Sequence, residues 1–279
     1  MSESTIDGRR STRTPVRTAH DRPSVRERVQ PLANAWRPLA GAWAGLLIVV
    51  TAAGLLLVGP LEDGRIVRWD LDVEQWFADH RTSTLNTLAE AGTWLAETIT
   101  VPVVLLIAVV IAWRVSSNVA APAFLAVAVG GEKLLYLVSS LIVGRDRPPV
   151  PTVGTSYATS SFPSGHVASA ITLYGGIALL IALRRTAAAR ILLLAVAGVI
   201  AAIVAACRMY AGFHFPSDCV AGVIVGVVWL TVTYRSVLRR TELAGGRPER
   251  SELGATAPGQ EGPDGYRPPG KAAASTASA

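Results

Sequence analysis

Charge is scarce in this chain. Of its 279 residues only 16% are Asp, Glu, Lys or Arg, 51% are hydrophobic, and the mean hydropathy is positive at +0.40. Water-soluble domains ordinarily carry about a quarter charged residues, so the composition excludes an ordinary soluble globule and points to a membrane. Cysteine is scarcer still, with two residues. Cys207 and Cys219 fall near the ends of adjacent apolar runs, where a disulfide is conceivable in an oxidising compartment, although a buried free thiol is the plainer reading. No Gly-rich nucleotide loop, internal repeat or nucleic-acid motif is present, so no nucleic-acid partner is expected.

Apolar runs are abundant. They extend from about Ala40 to Val58, Val101 to Trp113, Ala120 to Val143, Val167 to Leu183, Ile191 to Ala206 and Cys219 to Val232. A bilayer-spanning helix needs about 20 residues, and a flanking turn brings each run near that length. The reading is therefore an all-α integral membrane protein, a six-transmembrane helical bundle spanning residues 36–240. The first run follows a long hydrophilic stretch without a small-residue cleavage site, so it reads as a retained anchor. Residues 1–35, rich in Arg, Ser, Thr and Pro, and residues 241–279, rich in Gly, Pro, Ala and Ser, lack hydrophobic periodicity and read as disordered tails.

Threading six spans places the N-tail arginines, Arg114, Arg184, Arg185, Arg190, Arg235, Arg239 and Arg240 on one side, which the positive-inside rule makes cytoplasmic. The expected location is multi-pass in the plasma (inner) membrane, with both tails inside. Leu61 to Thr98 falls on the opposite side, and its "WDLDVEQWFADH" is patterned as an interfacial amphipathic helix. Three polar groups also fall on that outer side: Arg145 and Arg147 in "GRDRPP", His166 in "SFPSGH", and Arg208, His214 and Asp218 in "CRMYAGFHFPSD".

Each group has an ordinary reading. The arginines could snorkel to head groups, His214 and Asp218 are four apart and could pair along a helix, and His166 could follow a helix cap. Together they make an anion site. Ser160 or Ser161 can cap a helix with Pro163 at its first position, and Gly165 lets a ligand approach the backbone. Such a helix start, with Arg147 and Arg208 as forked donors, suits phosphate.

The three segments resemble the motifs of the type 2 phosphatidic acid phosphatase family, relatives of vanadium haloperoxidases. Pro163, Ser164, Gly165 and His166 match the second motif; Arg208, His214 and Asp218 match the third, with Cys207 where Ser is usual. Arg147 and Pro148 match the end of the first motif, Lys-x6-Arg-Pro, but its lysine position holds Ser140. The resemblance covers roughly Ala120 to Val232. It implies a membrane lipid phosphate or pyrophosphate phosphatase with its site at the extracytoplasmic mouth. His214 is then the nucleophile that becomes a phosphohistidine, His166 the general acid and base, and Asp218 the residue that orients His214. Arg147, Ser164, Gly165 and Arg208 bind phosphate, and neither a metal nor another cofactor is implied. A head-group phosphotransferase, a non-catalytic lipid-binding or transport module, and a metal hydrolase using His166, His214 and Asp218 are the alternatives. For the missing lysine, Arg145 is the expected replacement, with Lys133 neutralising an acidic group such as Glu132. The sequence names neither the lipid nor the oligomeric state.

Overall fold

The structure is a computed structural model that describes residues 35–116, 119–154, 160–183 and 185–239. The expected tails lie outside these residues except for Ala35, which is buried. The chain divides into units Met1–Gly245 and Gly246–Ala279, and every described residue belongs to the first.

All regular structure among the described residues is helical. The elements are α1 (Trp36–Leu57), α2 (Arg65–Asp79), α3 (Ser83–Thr93), a 3₁₀ turn at Trp94–Ala96, and α4 (Thr100–Val115). They continue with α5 (Ala120–Val143), α6 (Gly165–Ala182), α7 (Ala187–Tyr210) and α8 (Pro216–Leu238). Helices α1, α5, α6, α7 and α8 are each long and apolar enough to cross a membrane; α3 with its 3₁₀ turn and α4 make a sixth span when counted as one element bent by 42°. The protein is an all-helical, multi-pass membrane bundle of five or six spans. At 1.5 Å per residue the 24 residues of α5 measure about 36 Å, enough to cross the hydrocarbon layer.

Helix boundaries follow local chemistry. Thr82 and Thr186 accept the backbone N–H of Leu85 and Ala189 at the starts of α3 and α7. Helix α5 ends where Gly144 turns left-handed, at φ 60°, which a side chain disfavours. Pro216 opens α8, and the Asp218 carboxylate accepts the Phe215 N–H at 2.9 Å. Inside the bundle, Gly131 of α5 abuts the Trp229 indole of α8, whose Nε1 donates to the Ala128 carbonyl at 3.0 Å.

Helix α2 is amphipathic with its polar side inward. Asp70 and Glu74, one turn apart, are fully buried against the bundle, while Ile66, Trp69 and Trp76 are about half exposed on the other side. That is the arrangement of a helix lying at an apolar boundary with charged groups turned into the protein.

Candidate active site

The six polar residues singled out in the sequence converge at one end of the bundle, where α5 ends, α6 starts, α7 ends and α8 starts. Gly212 makes the return from α7 possible. It adopts φ 76° and sits against Pro151 and Arg81, so a side chain there would be strained and crowded. The turn it creates carries Phe213, His214 and Phe215 back over the end of α6.

His214 is buried, and its Nδ1 lies 2.7 Å from the Ser161 carbonyl oxygen. A carbonyl only accepts, so Nδ1 carries the proton and Nε2 keeps its lone pair. Burial, then the charges of Arg208, His166 and Arg147, hold this imidazole well below its usual pKa, so it is neutral at pH 7. Asp218 stands 3.9 Å from Nδ1, beyond hydrogen-bond range. Its carboxylate instead binds the Phe215 N–H and the Arg145 guanidinium, at 2.9 and 2.5 Å. Asp218 therefore fixes the turn that holds His214, while the Ser161 carbonyl holds the ring.

Arg145 departs from its expected place. One guanidinium nitrogen contacts Asp218 and Ser217, the other contacts Asp70 at 2.8 Å, and the plane stacks 4.2 Å from the Phe215 ring centroid. Asp70 also accepts the Ser217 N–H at 2.9 Å. This buried Asp70–Arg145–Asp218 cluster pins α2 to the start of α8, and it corrects the reading of Arg145 as a replacement phosphate ligand.

Arg147 and Arg208 flank one aromatic ring. Their guanidinium carbons lie 5.6 and 4.1 Å from the Phe213 centroid, and Arg147 donates to the Phe213 carbonyl at 2.9 Å. Phe213 is thus a platform for two cations. Arg208 is 3% exposed, yet its Nε has no hydrogen-bond partner; the same is true of the buried Ser164 Oγ and His166 Nε2. The His166 and His214 ring centroids are 6.3 Å apart. Buried polar groups without partners are costly, and an oxyanion is the ligand that Arg208 Nε and Ser164 Oγ fit.

The start of α6 differs from its expected form. The helix begins at Gly165 with Ser164 as its N-cap residue, so Pro163 precedes it. The Ser164 N–H is taken by the Asp218 carbonyl at 3.0 Å, Ser160 Oγ bonds to Phe162, and Ser161 Oγ donates to the Asp146 carbonyl. A Cβ on Gly165 would come within 2.8 Å of the Tyr136 ring, so close helix packing also demands glycine there.

Ser140 turns back on its own helix, donating to the Leu137 carbonyl at 3.0 Å. Lys133 makes no ion pair among the described residues. Its ammonium lies 5.7 Å from the Tyr136 centroid and within electrostatic reach of both His166 and Glu132, the acid expected to pair with it, which also accepts the Ser169 hydroxyl at 2.8 Å. Lys133 thus stands between Glu132 and His166, whereas Arg145 is held by two acids. Cys207 and Cys219 are both free thiols. Among the described residues no three His, Cys, Asp or Glu side chains form a metal-ligand set.

Two more carboxylates, absent from the motif reading, border the site. Glu97, just after the 3₁₀ turn, places Oε2 3.6 Å from His166 Nε2. Glu74 is buried with neither oxygen hydrogen-bonded, and burial, reinforced by Asp218 and Asp70 against the opposing Arg81, pushes it up to about 8. In the sequence, Asp70 and Glu74 are visible as acids four apart on an amphipathic helix; Glu97 carries no comparable signal.

Fold and site together define a multi-pass helical membrane protein with a cluster of histidines and arginines at one end of the bundle. A model of the PAP2 superfamily matches residues 121–242, the stretch that carries all three motifs. The chain is also similar to the crystal structure of the first transmembrane PAP2 type phosphatidylglycerolphosphate phosphatase from Bacillus subtilis. The identity is 21% and the TM-score 0.60, over 68% of this chain and 94% of that one. A second similar structure, LpxE of Aquifex aeolicus, is 21% identical with TM-score 0.47, over 59% of this chain and 94% of that one. No curated protein matches the chain.

Proposed function

We propose that the protein is a membrane lipid phosphate phosphatase that works through a phosphohistidine on His214. The observation that carries this reading is the meeting of a neutral, lone-pair-bearing His214 with two arginines and buried donors that lack partners. In the first step His214 Nε2 attacks phosphorus, the P–O ester bond breaks, and His166 gives a proton to the departing oxygen. In the second, His166 takes a proton from water, the resulting hydroxide attacks phosphorus, and the N–P bond breaks to release inorganic phosphate. Arg147, Arg208, Ser164 Oγ and the Gly165 N–H stabilise the three equatorial oxygens as charge redistributes.

The Ser161 carbonyl complements the proton and growing positive charge on His214. Asp218 acts through the Phe215 turn and through its own charge. No metal enters the scheme, because the arginines supply the positive charge that a metal would otherwise bring. The arginine asymmetry of the loops supports a site on the extracytoplasmic face of the plasma membrane with the tails in the cytoplasm. The substrate class is a phosphomonoester or pyrophosphate whose apolar part stays in the bilayer; the named similarity to a phosphatidylglycerolphosphate phosphatase puts that lipid first in the panel.

Purified protein should release phosphate from at least one of phosphatidylglycerol phosphate, phosphatidic acid and polyprenyl pyrophosphate, with activity retained in excess chelator. Release from none of them, or activity that vanishes with chelation and returns with a divalent metal, overturns this reading.

A further inference from the structure

The carboxylate nearest a histidine ring in this site belongs to Glu97. Its Oε2 is 3.6 Å from His166 Nε2, whereas Asp218 is 3.9 Å from His214. Glu97 is also held in place. Its other oxygen accepts the Thr98 N–H at 3.1 Å, its backbone carbonyl accepts the Val101 N–H at 3.0 Å, and the adjoining turn is tied to α6 by Tyr174 Oη donating to the Leu95 carbonyl at 2.6 Å. Ala96 beside it is 1% exposed. His166 Nε2 is buried and has no hydrogen-bond partner, and Arg208 lies within electrostatic reach of both groups. A fixed carboxylate thus faces an imidazole edge that needs an acceptor, across a gap that a small ring rotation closes.

We propose that Glu97 is the positioning residue for His166, a carboxylate outside the three motifs that holds one ring nitrogen so that the other serves the leaving oxygen. The proposal rests on the phosphatase reading above. Glu97 touches neither phosphorus nor the leaving group. Accepting the Nε2 proton fixes the ring's orientation, and its negative charge favours the imidazolium form needed to protonate an alkoxide. When the ester P–O bond breaks and the His214 N–P bond forms, the proton passes from His166 to the departing oxygen, and Glu97 remains ionised throughout. An amide in its place presents an N–H to Nε2, which turns the ring to the wrong tautomer without removing the side chain's bulk.

The test exploits the leaving group. An alkoxide needs a proton to depart, whereas 4-nitrophenolate departs without one. Rapid-quench phosphoenzyme bursts isolate the first step, with dioctanoyl phosphatidic acid as the alkyl ester and 4-nitrophenyl phosphate as the aryl ester. Glu97→Gln should slow the alkyl burst roughly ten- to hundredfold and change the aryl burst by less than about threefold, with melting temperature retained. His166→Ala should show the same contrast. Adding Glu97→Gln to His166→Ala should cost nothing more, since the two act as a unit. Equal slowing of both esters, or no slowing of either, overturns the assignment while leaving the phosphatase reading intact. A wild-type protein that forms no phosphoenzyme from either ester removes both.

Discussion

Replacing Arg145 with methionine separates a structural cation from a phosphate ligand. Arg145 is 6% exposed and lies between Asp70 and Asp218, both 0% exposed, at 2.8 and 2.5 Å. Removing it strands two buried carboxylates, and breaking a buried ion pair costs about 3–5 kcal/mol. Loss of the stack on Phe215, at 4.2 Å, adds about 1 kcal/mol. For a folded unit of this size each kcal/mol lowers Tm by roughly 2–4 °C, so Arg145→Met should melt about 10 °C or more below wild type. Thermal unfolding followed by tryptophan fluorescence in a fixed detergent reads this directly. Adding Asp70→Asn removes one stranded charge and should recover at least about 2 kcal/mol of the loss. Because the cluster anchors the turn bearing His214, turnover should fall in whatever protein folds. An Arg145→Met protein with native Tm and a raised KM alone would refute the argument and restore Arg145 as a phosphate ligand.

Glu74→Gln should stabilise the protein, and increasingly so as pH rises. The folded carboxyl titrates near 8 and the unfolded one near 4.5, so the folded state holds an extra proton between those values. Wild-type stability from this group therefore declines as pH rises through that window, at up to about 1.4 kcal/mol per pH unit. Melting curves at pH 5 and pH 8 check it, and a constant difference between the two proteins contradicts it. Lys133→Met should lower kcat/KM for a lipid phosphate about tenfold by removing positive charge beside the site, with only a small Tm loss, since no direct ion pair is broken and only its longer-range field on buried Glu132 is lost. A large Tm loss with unchanged kinetics would return Lys133 to a purely structural role.

The spans are legible because an apolar run long enough to cross a bilayer has few alternative fates; of the six runs, the second forms a helix, α4, too short alone, which makes a span only when counted with the bent α3. The proximity of the motif residues is legible as well: Arg147, His166, Arg208 and His214 lie together at one end of the bundle. The partners were harder to read. Asp70 and Arg145 are 75 residues apart, and nothing local announces that a carboxylate on the amphipathic helix α2 reaches an arginine after α5. Spacing located Arg145 at the site but could not say that two acids already claim it. Helix α6 starts two residues beyond the Pro163 that suits a first helical position, and the Ser164 N–H at its cap is taken by the Asp218 carbonyl in a tertiary hydrogen bond that no local pattern shows. Glu97 is illegible for a similar reason, since an acid in a short loop reads as solvated until the turn before it is docked on α6 by Tyr174.

The central claim is that His214 carries the phosphoryl group. Purified protein should be mixed with a phosphatidic acid labelled with ³²P in its phosphate, quenched in alkali, and digested for peptide mapping. An alkali-stable, acid-labile label should appear on the peptide containing His214 in wild type and be absent from His214→Ala protein that retains its melting temperature. A label that persists in His214→Ala, or wild-type turnover with no covalent label on the millisecond timescale, would contradict it.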